Sequence, residues 1–244
     1  MRLDISLVNK GFASSREKAR FLIESGFVKI NGGIVKKRSY NFKEGELIEV
    51  TDKMSYVSRA GLKLKSALDE FGVDVRDAIC LDIGASTGGF TDCLLQEGAK
   101  KVYAVDVGTD QLDKKLKGDK RVISYEGTDI RKFDKQHIKE FLDIIVIDVS
   151  FISIKFIIEI LSGFANEKTK VIALIKPQFE VGKEYLKKGI VVDLEKADEK
   201  IEEIKSTFEN NGFVIKGELK CPVKGKEGNQ EYLLYVGSWK HFEK

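Results

Sequence analysis

The chain has 244 residues, 42% hydrophobic and 33% charged, which excludes a disordered chain and suffices for one large domain or a medium domain with a small module. No apolar run reaches about eighteen residues, no apolar signal-peptide core begins the chain, and the three cysteines lack metal-ligand spacing. We therefore expect a cytoplasmic protein with reduced thiols, no metal and no membrane span. The net charge of +3 is unevenly distributed along the chain, since residues 1–65 carry a net +7 and the remaining residues a net −4. The positive charge is therefore concentrated in the first quarter of the chain, which could bind phosphates.

The first fifty residues predict a small unit made of two helices, a hairpin and a last strand. "RLDISLVNKG" predicts a short amphipathic helix that ends at Gly11. "SSREKARFLIESG" predicts a second helix, opened by a capping box between Ser14 and Glu17. "FVKINGGIVKK" predicts a hairpin with Asn31 and Gly32 in its turn, and "GELIEV" predicts one more strand. The polar residues 51–58 indicate a linker, so we expect domains at 1–50 and 59–244.

This front unit resembles a small RNA-binding domain first described in a small-subunit ribosomal protein. The spacing in "SREKARFLIESGFVKINGG" carries the resemblance, which covers roughly residues 1–50. The resemblance implies that basic residues of the unit contact RNA: Arg16, Lys18, Arg20, Lys29, Lys36, Lys37 and Arg38. A solvated basic face is the alternative interpretation of the same residues.

From residue 59, apolar strands alternate with helical segments. The predicted strands lie in "AICLDIG", "KKVYAVDVG", "RVISYEG", "LDIIVIDVS", "KVIALIKP", "GFVIKGELKCPV" and "EYLLYVGSW". Alternation of this kind predicts a mostly parallel α/β sheet, and the last two strands, which have no helix between them, should pair antiparallel. Such a sheet is typical of Rossmann-like S-adenosylmethionine-dependent methyltransferases. "KKGIVVD", after the fifth strand, indicates a mobile loop whose lysines could help hold RNA.

The first strand of this region ends in a glycine-rich loop, "GASTGGF". A dinucleotide fingerprint needs a glycine where this loop has Ser86, which argues against NAD and against a dehydrogenase. S-adenosylmethionine has no phosphate and needs only a tight turn and close packing. Asp106 ends the second strand, 22 residues after Gly84, where a carboxylate can accept hydrogen bonds from both ribose hydroxyls. Asp129, after the third strand, is placed to reach the adenine, although helix capping and turn formation are the alternative roles of both acids.

Four charged residues fall where chemistry is expected. Asp148 and Lys176 follow the fourth and fifth strands, and Glu231 begins the last, antiparallel strand, so all three should lie at one sheet edge. Lys63 lies on a helix that opens the domain and can fold over that edge. A ribose hydroxyl needs a base, and an ordinary lysine is protonated near neutral pH. Burial and a second cation favour the neutral amine, and carboxylates orient it, so two lysines and two acids form a plausible base site.

The whole chain resembles the TlyA family of ribosomal-RNA 2′-O-methyltransferases, which have an FtsJ-like catalytic domain and are often named hemolysins. Matching blocks are "YVSRAGLKL", "LDIGASTGGFTDCLL", "VDVG", "DVSFIS", "IKPQFE" and "GNQEYLL". The resemblance implies a catalytic tetrad of Lys63, Asp148, Lys176 and Glu231. It also implies that S-adenosylmethionine is bound by Gly84, Ser86, Gly88, Phe90, Asp106, Asp129 and Asp148. The implied reaction is methyl transfer to a cytidine ribose in ribosomal RNA or a ribosomal subunit.

Two other functions are alternatives to this reaction. A membrane-active hemolysin needs a long apolar span or a basic amphipathic helix with a strong apolar face, and neither is evident in the sequence. A non-catalytic RNA-binding protein explains the first fifty residues but not the four tetrad positions. The sequence does not specify the oligomeric state, the ribosomal subunit or the modified nucleotide.

Overall fold

A computed structural model describes residues 1–50 except Ser14, Ser25 and Arg38, and residues 56–237 except Lys226; the side chain of Glu17 is also outside the description. The chain forms two compact units, Met1–Arg59 and Ala60–Lys244. The predicted capping box and the predicted RNA contact of Arg38 fall outside the described residues, as does most of the predicted linker.

The front unit consists of two helices and three short strands. Its elements are α1 (Leu3–Asn9), α2 (Arg16–Glu24), β1 (Val28–Ile30), β2 (Gly33–Ile34) and β3 (Ile48–Val50). The strands form an antiparallel sheet in the order β2-β1-β3. Asn31 and Gly32 both have positive φ, 49° and 80°, as the tight turn between β1 and β2 requires. The predicted order of helices, hairpin and strand is therefore confirmed.

The helices of the front unit are held by an apolar core under the sheet. Leu3 and Leu7 of α1 and Leu22 and Ile23 of α2 are buried together with Val28 of β1. The outer face of α2 carries charged residues, which is the pattern of an amphipathic helix on a small domain, whereas the one charged residue of α1, Asp4, is buried.

The second unit contains the remaining helices and strands. Its helices are α3 (Ala60–Phe71), α4 (Gly89–Gln96), α5 (Lys114–Lys117), α6 (Lys155–Leu161) and α7 (Leu194–Asn210). Its strands are β4 (Ile79–Ile83), β5 (Lys101–Val105), β6 (Val122–Tyr125), β7 (Ile144–Ile147), β8 (Lys170–Ile175), β9 (Leu186–Lys187), β10 (Ile190–Val191), β11 (Val214–Lys220) and β12 (Tyr232–Gly237). Short 3-10 turns occur at Ile130–Lys132, Lys135–His137, Pro177–Phe179 and Lys183–Tyr185.

Seven strands form one large sheet in the order β11-β12-β8-β7-β4-β5-β6. The strands from β8 to β6 pair parallel, whereas β12 pairs antiparallel with both β8 and β11. The residues of β7 are all buried, as expected for a parallel strand covered on both faces. Buried side chains of α6 and α7 pack with the strands in one core cluster, while α3 contacts α4. This confirms the predicted mostly parallel α/β fold with an antiparallel end.

The segment predicted as a mobile loop contains a short hairpin. Ile190 pairs with Lys187 and Val191 pairs with Leu186. The Asn229 side chain accepts a hydrogen bond from the Val191 N–H at 2.9 Å and donates one to the Gly189 carbonyl at 2.8 Å. These bonds hold the hairpin against the loop before β12.

In the described residues, no helix has the length and apolarity to cross a membrane.

Candidate active site

Polar residues gather at one edge of the large sheet because parallel strands end there. Gly84 follows β4, Asp106 follows β5, Asp148 follows β7 and Lys176 follows β8. Tyr232 of β12 pairs with Ile175 of β8, so the antiparallel register brings Glu231 next to Lys176. The sequence prediction that the tetrad acids and Lys176 share this edge agrees with the register. Ligands of open α/β sheets bind along this edge.

The loop between β4 and α4 has a backbone that requires glycine. Gly84 and Gly88 have φ of 86° and 90°, and Ser86 between them has φ of 48°. A Cβ atom at Gly84 would lie 2.5 Å from the backbone oxygen of Asp148, so the loop packs directly on the chain that leaves β7. Phe90, predicted to contact the cofactor, has a buried side chain in the first turn of α4.

The carboxylate of Asp106 organises the glycine loop from the neighbouring strand. Its Oδ2 accepts the Ser86 N–H at 2.8 Å, and its Oδ1 accepts the Gly108 N–H at 2.7 Å. The Ser86 hydroxyl donates to Gln111 Oε1 at 3.1 Å. Each oxygen of a carboxylate has about two acceptor positions, so Asp106 keeps capacity for the two hydroxyls of a ribose. The site therefore fits a nucleoside.

A residue that the sequence analysis missed, Glu126, shapes the loop after β5, which contacts the glycine loop through Gln111. Its carboxylate accepts the N–H groups of Leu112 and Gln111 at 3.0 and 2.7 Å. The pKa of Glu126 lies below its ordinary value, mainly because its carboxylate accepts the hydrogen bond from the Leu112 backbone. Its position directly after β6 was the available signal, since Asp106 and Asp148 follow their strands in the same way.

Asp129, predicted to reach the adenine, is engaged locally. Its carboxylate accepts the Arg131 backbone N–H at 3.0 Å and two side-chain N–H groups of Arg131, at 2.7 Å from Nη2 and 3.0 Å from Nε. The side-chain hydrogen bonds of Arg131 are the main cause of the lowered pKa of Asp129. This is the capping and turn role named as the alternative. The neighbouring Thr128 N–H donates to the Asp106 carbonyl at 2.8 Å, so the loop lies beside Asp106.

Asp82, which the sequence analysis did not assign, is a buried acid inside β4. Its Oδ2 accepts the Thr91 hydroxyl at 2.6 Å, while Oδ1 has no hydrogen-bond partner within the described residues. Burial raises the pKa of Asp82 to about 7, and the Thr91 hydrogen bond partly opposes this effect. The signal in the sequence was an acid within an apolar strand, two residues before the glycine loop.

The Lys63–Glu231 pair is the first half of the predicted tetrad. Lys63 on α3 is 7% exposed and Glu231 is 2% exposed, and the Lys63 ammonium donates to Glu231 Oε2. Gln178 Nε2 donates to the other carboxylate oxygen at 3.4 Å. Gly225 leaves the space that this carboxylate occupies, because a Cβ atom there would lie 2.5 Å from Glu231 Oε1. A buried charge pair of this kind is costly unless both partners are present.

The Lys176–Asp148 pair is the second half. Lys176 Nζ lies 2.5 Å from Asp148 Oδ1 and donates a hydrogen bond to the Ser150 hydroxyl at 2.8 Å. The contact with Asp148 is an ion pair without hydrogen-bond alignment, since Asp148 Oδ1 has no hydrogen-bond partner in the part of the chain that the structure describes. Both side chains are partly buried, so a substrate can still reach the amine.

Two more polar residues, Ser150 and Gln178, touch the tetrad and were missed. Gln178 Oε1 is buried and has no partner among the described residues. Both residues lie two positions after a tetrad member, in "DVS" and "KPQ", which was the only signal. Nearby, Phe151 has φ of 64°, is 91% exposed and packs against Phe179, with ring centroids 5.0 Å apart.

The predicted RNA contacts of the front unit lie on its surface where the structure describes them. Arg16, Lys36 and Lys37 are exposed, and Lys18, Arg20 and Lys29 are half-buried. Arg16 and Arg20 share an ion-pair partner, Asp4, that the sequence analysis did not identify.

A glycine loop, a strand-end acid and paired lysines and carboxylates at this edge define a Rossmann-like methyltransferase. Residues 56–238 match the FtsJ-like methyltransferase family, and residues 1–48 match the S4 domain. The chain belongs to the FtsJ-like methyltransferase family and carries an S4 domain at its front, as the resemblances predicted.

Known relatives share nearly the full length of the chain. It is 44% identical to "Hemolysin A" of Brachyspira hyodysenteriae, over 96% of this chain and 99% of the relative. It is 39% identical to "16S/23S rRNA (cytidine-2'-O)-methyltransferase TlyA" of Mycobacterium tuberculosis, over 96% of this chain and 89% of the relative. A solved structure of a Streptococcus thermophilus protein that carries the name hemolysin superposes with a TM-score of 0.76 at 39% identity, over 98% of this chain and 88% of that one.

Proposed function

We propose that this protein transfers a methyl group from S-adenosylmethionine to the 2′-hydroxyl of a cytidine in ribosomal RNA. The observation that carries the proposal is the pair of lysine–carboxylate contacts, Lys63–Glu231 and Lys176–Asp148, at the sheet edge that also holds the glycine loop. The name of the Mycobacterium tuberculosis relative supports the same reaction and substrate. Such a substrate would be met in the cytoplasm.

In this proposal the cofactor is held by the loop of residues 84–88 and by Asp106. The positive φ of Gly84 and Gly88 lets the loop turn tightly, and Asp106 accepts the ribose hydroxyls while it keeps its bonds to the loop. Asp129 would reach the adenine only if it released Arg131, so we assign the adenine edge to the backbone beside it. When bound, S-adenosylmethionine supplies a methyl group on a cationic sulfur that leaves as a neutral thioether.

The chain then has to position the ribose hydroxyl and take its proton. Lys176 Nζ lies at the strand end facing this edge and is held by Asp148 and Ser150, so we assign it as the proton acceptor, a role that requires the amine to give up the proton of its ion pair with Asp148 before the reaction. Lys63 and Glu231 form a buried pair behind it. We assign this pair a positioning role. It joins helix α3 to the loop before β12 and so fixes the geometry of the sheet edge at which the reaction takes place.

Substrate RNA would be engaged by both units. We propose that residues 1–50 act as the RNA-binding domain and residues 59–244 as the catalytic domain, with basic residues of the S4 domain on phosphates. The exposed ring of Phe151, supported by Phe179 and next to Ser150, offers a stacking surface for a base turned out of its helix. Lys187 and Lys188 on the hairpin lie near the loop of Glu231 and would contact the RNA backbone.

A map of 2′-O-methyl groups tests the proposal directly. Ribosomal RNA from cells with and without the gene is analysed by mass spectrometry, and the RNA lacking the group is then incubated with purified protein and S-adenosylmethionine. We expect one or a few cytidines to gain a methyl group in both comparisons. No difference on either ribosomal subunit would contradict the proposal.

Membrane lysis is a second candidate, favoured by the name of the Brachyspira hyodysenteriae relative. An erythrocyte assay with the purified parent and its Lys176→Ala variant separates the two functions. Lysis by both proteins, without methyl transfer by the parent, would favour the second candidate.

A further inference from the structure

One buried carboxylate in the front unit gathers three arginines. Asp4, in the first turn of α1, is fully buried. Arg2 donates to it from Nε at 3.0 Å and from Nη2 at 3.2 Å. Arg16 Nη2 lies at 3.2 Å and Arg20 Nε at 3.3 Å from its Oδ2. The carboxylate therefore joins the residue before α1 to two successive turns of α2.

The arginines face solvent although their shared partner does not. Their side chains are 47%, 52% and 40% exposed for Arg2, Arg16 and Arg20, against 0% for Asp4. A guanidinium has five N–H donors, and none of the three gives more than two to Asp4. The cluster therefore keeps two net positive charges and turns most of its donors away from the carboxylate.

The electrostatics of this cluster are those of an anion site. Burial alone would raise the pKa of Asp4, but the hydrogen bonds from the three arginines lower it to about 2. The carboxylate is thus ionised throughout the physiological range. One arginine would suffice to neutralise it, whereas three cations around one anion repel one another and attract a second anion.

We propose that Asp4 is a positioning residue that holds Arg2, Arg16 and Arg20 as one preformed site for a phosphate of the RNA backbone. The inference rests on the proposed function in one respect, namely that the front unit binds RNA. Guanidinium groups bind phosphate in a forked geometry, and fixing their long side chains before RNA arrives removes part of the conformational cost of binding. Arg2, which the sequence analysis did not select, joins the RNA contacts.

The substitution Asp4→Asn tests the proposal because two explanations predict opposite signs. It raises the net charge from +3 to +4, so affinity for RNA should rise if only total charge matters. If Asp4 positions the arginines, affinity should fall about tenfold or more. The measurement is equilibrium binding of the full-length protein to labelled, deproteinised ribosomal RNA at two salt concentrations.

Glu46→Gln is the matched control in the same unit. Glu46 accepts hydrogen bonds from the Tyr40 hydroxyl and the Lys43 N–H, both at 2.7 Å, and neither donor belongs to an arginine. The charge change is identical, so this variant should bind RNA as tightly as the parent or slightly more tightly. Hydrogen exchange of the amides of α1 and α2 at the binding temperature shows whether each variant keeps the front unit folded.

Charge-conserving variants keep the proposal testable if Asp4→Asn unfolds the unit. Arg16→Lys and Arg20→Lys keep the charge but not the fork, and each should weaken binding severalfold. If Asp4→Asn folds, adding Arg16→Lys to it should cost little more, because the site is already dispersed.

The proposal is overturned if folded Asp4→Asn binds RNA as well as the parent, or if both lysine variants do. A parent protein that does not bind ribosomal RNA at all would instead contradict the proposed RNA docking. A parent that binds RNA but leaves it unmethylated would contradict the proposed reaction and leave the inference about Asp4 intact.

Discussion

At the scale of single residues, the assignment of Lys176 as proton acceptor is open to a direct test. Lys176→Arg keeps a positive charge beside Asp148, but a guanidinium does not lose its proton near neutral pH. We expect binding of cofactor and RNA to be nearly unchanged and the methylation rate to fall about 10²-fold or more, the usual scale for acid–base catalysis. Single-turnover rates measured across pH, together with calorimetry for binding, give both quantities.

Lys155→Arg is the control for that change, because Lys155 is paired with Glu203 on α7 and takes no part in the proposed site. It should leave the rate intact. If Lys176→Arg turns over like the parent at every pH, Lys176 only positions the substrate and another group takes the proton.

Asp106 combines two roles that substitution can separate. Asp106→Ala removes the acceptors for the ribose and for the N–H groups of Ser86 and Gly108, so S-adenosylmethionine should bind about 1–3 kcal/mol more weakly. Asp129→Ala removes only the partner of Arg131 and should have a smaller effect on affinity. Calorimetry with S-adenosylmethionine and with NAD measures both, and we expect no binding of NAD. Unchanged affinity in Asp106→Ala would remove its ribose role.

At the scale of elements, the glycine loop depends on its contact with the chain after β7. In Gly84→Ala the new Cβ would meet the backbone oxygen of Asp148 at 2.5 Å, and backbone cannot move as a side chain does. We expect the loop to shift and cofactor affinity to fall about tenfold or more, with about 1–3 kcal/mol lost from the free energy of unfolding.

Gly72→Ala is the matched control for this loop. Gly72 has a φ of 60°, and apart from its own neighbours in the chain no described atom lies within 4 Å of the position that a Cβ would take, so an alanine there introduces backbone strain without a clash. It should cost about 1–2 kcal/mol of stability and leave cofactor affinity alone. Equal losses of affinity in the two variants would show that the contact with Asp148 is unimportant.

Strand β4 makes the stability of the fold depend on pH through Asp82. Burial raises the pKa of Asp82 from 3.8 to about 7, so the folded state holds a proton that the unfolded state releases. The stabilisation that this bound proton gives to the folded state is fully present below about pH 4 and is lost as the pH rises through about 7. The total change in the free energy of unfolding is on the order of 4 kcal/mol. Asp82→Asn lacks this dependence. The free energy of unfolding of the variant should therefore rise relative to that of the parent between about pH 5 and pH 8, and a constant difference in urea titrations would contradict the assignment.

At the scale of the whole molecule, the two compact units allow the two proposed tasks to be separated. Deleting residues 1–50 should leave S-adenosylmethionine bound, because the sheet, the glycine loop and the tetrad all belong to the second unit. Methylation of ribosomal RNA should be abolished, and in the parent the affinity for RNA should fall steeply with salt. Normal methylation by the truncated protein would show that the front unit is dispensable.

Much of the architecture follows from local pattern. Apolar strands, helices between them and the turn at Asn31 and Gly32 depend on neighbours in the chain, so periodicity and turn chemistry predict them. The hairpin at residues 186–191 was missed because its strands have two residues each, too short for a period to appear, and are held by Asn229 from a distant loop.

The sequence by itself determined the fold class, the strand ends at which Asp106, Asp148 and Lys176 stand, and the motifs of the family, because these features follow from order along the chain. Only the tertiary structure decided which charges pair. Lys63 meets Glu231 across 168 positions, and Asp4 collects arginines from two segments. It also decided that Asp129 is engaged by Arg131 and that Phe90 is buried. Pairing and burial depend on distances between segments that folding brings together, and spacing along the chain carries no record of those distances.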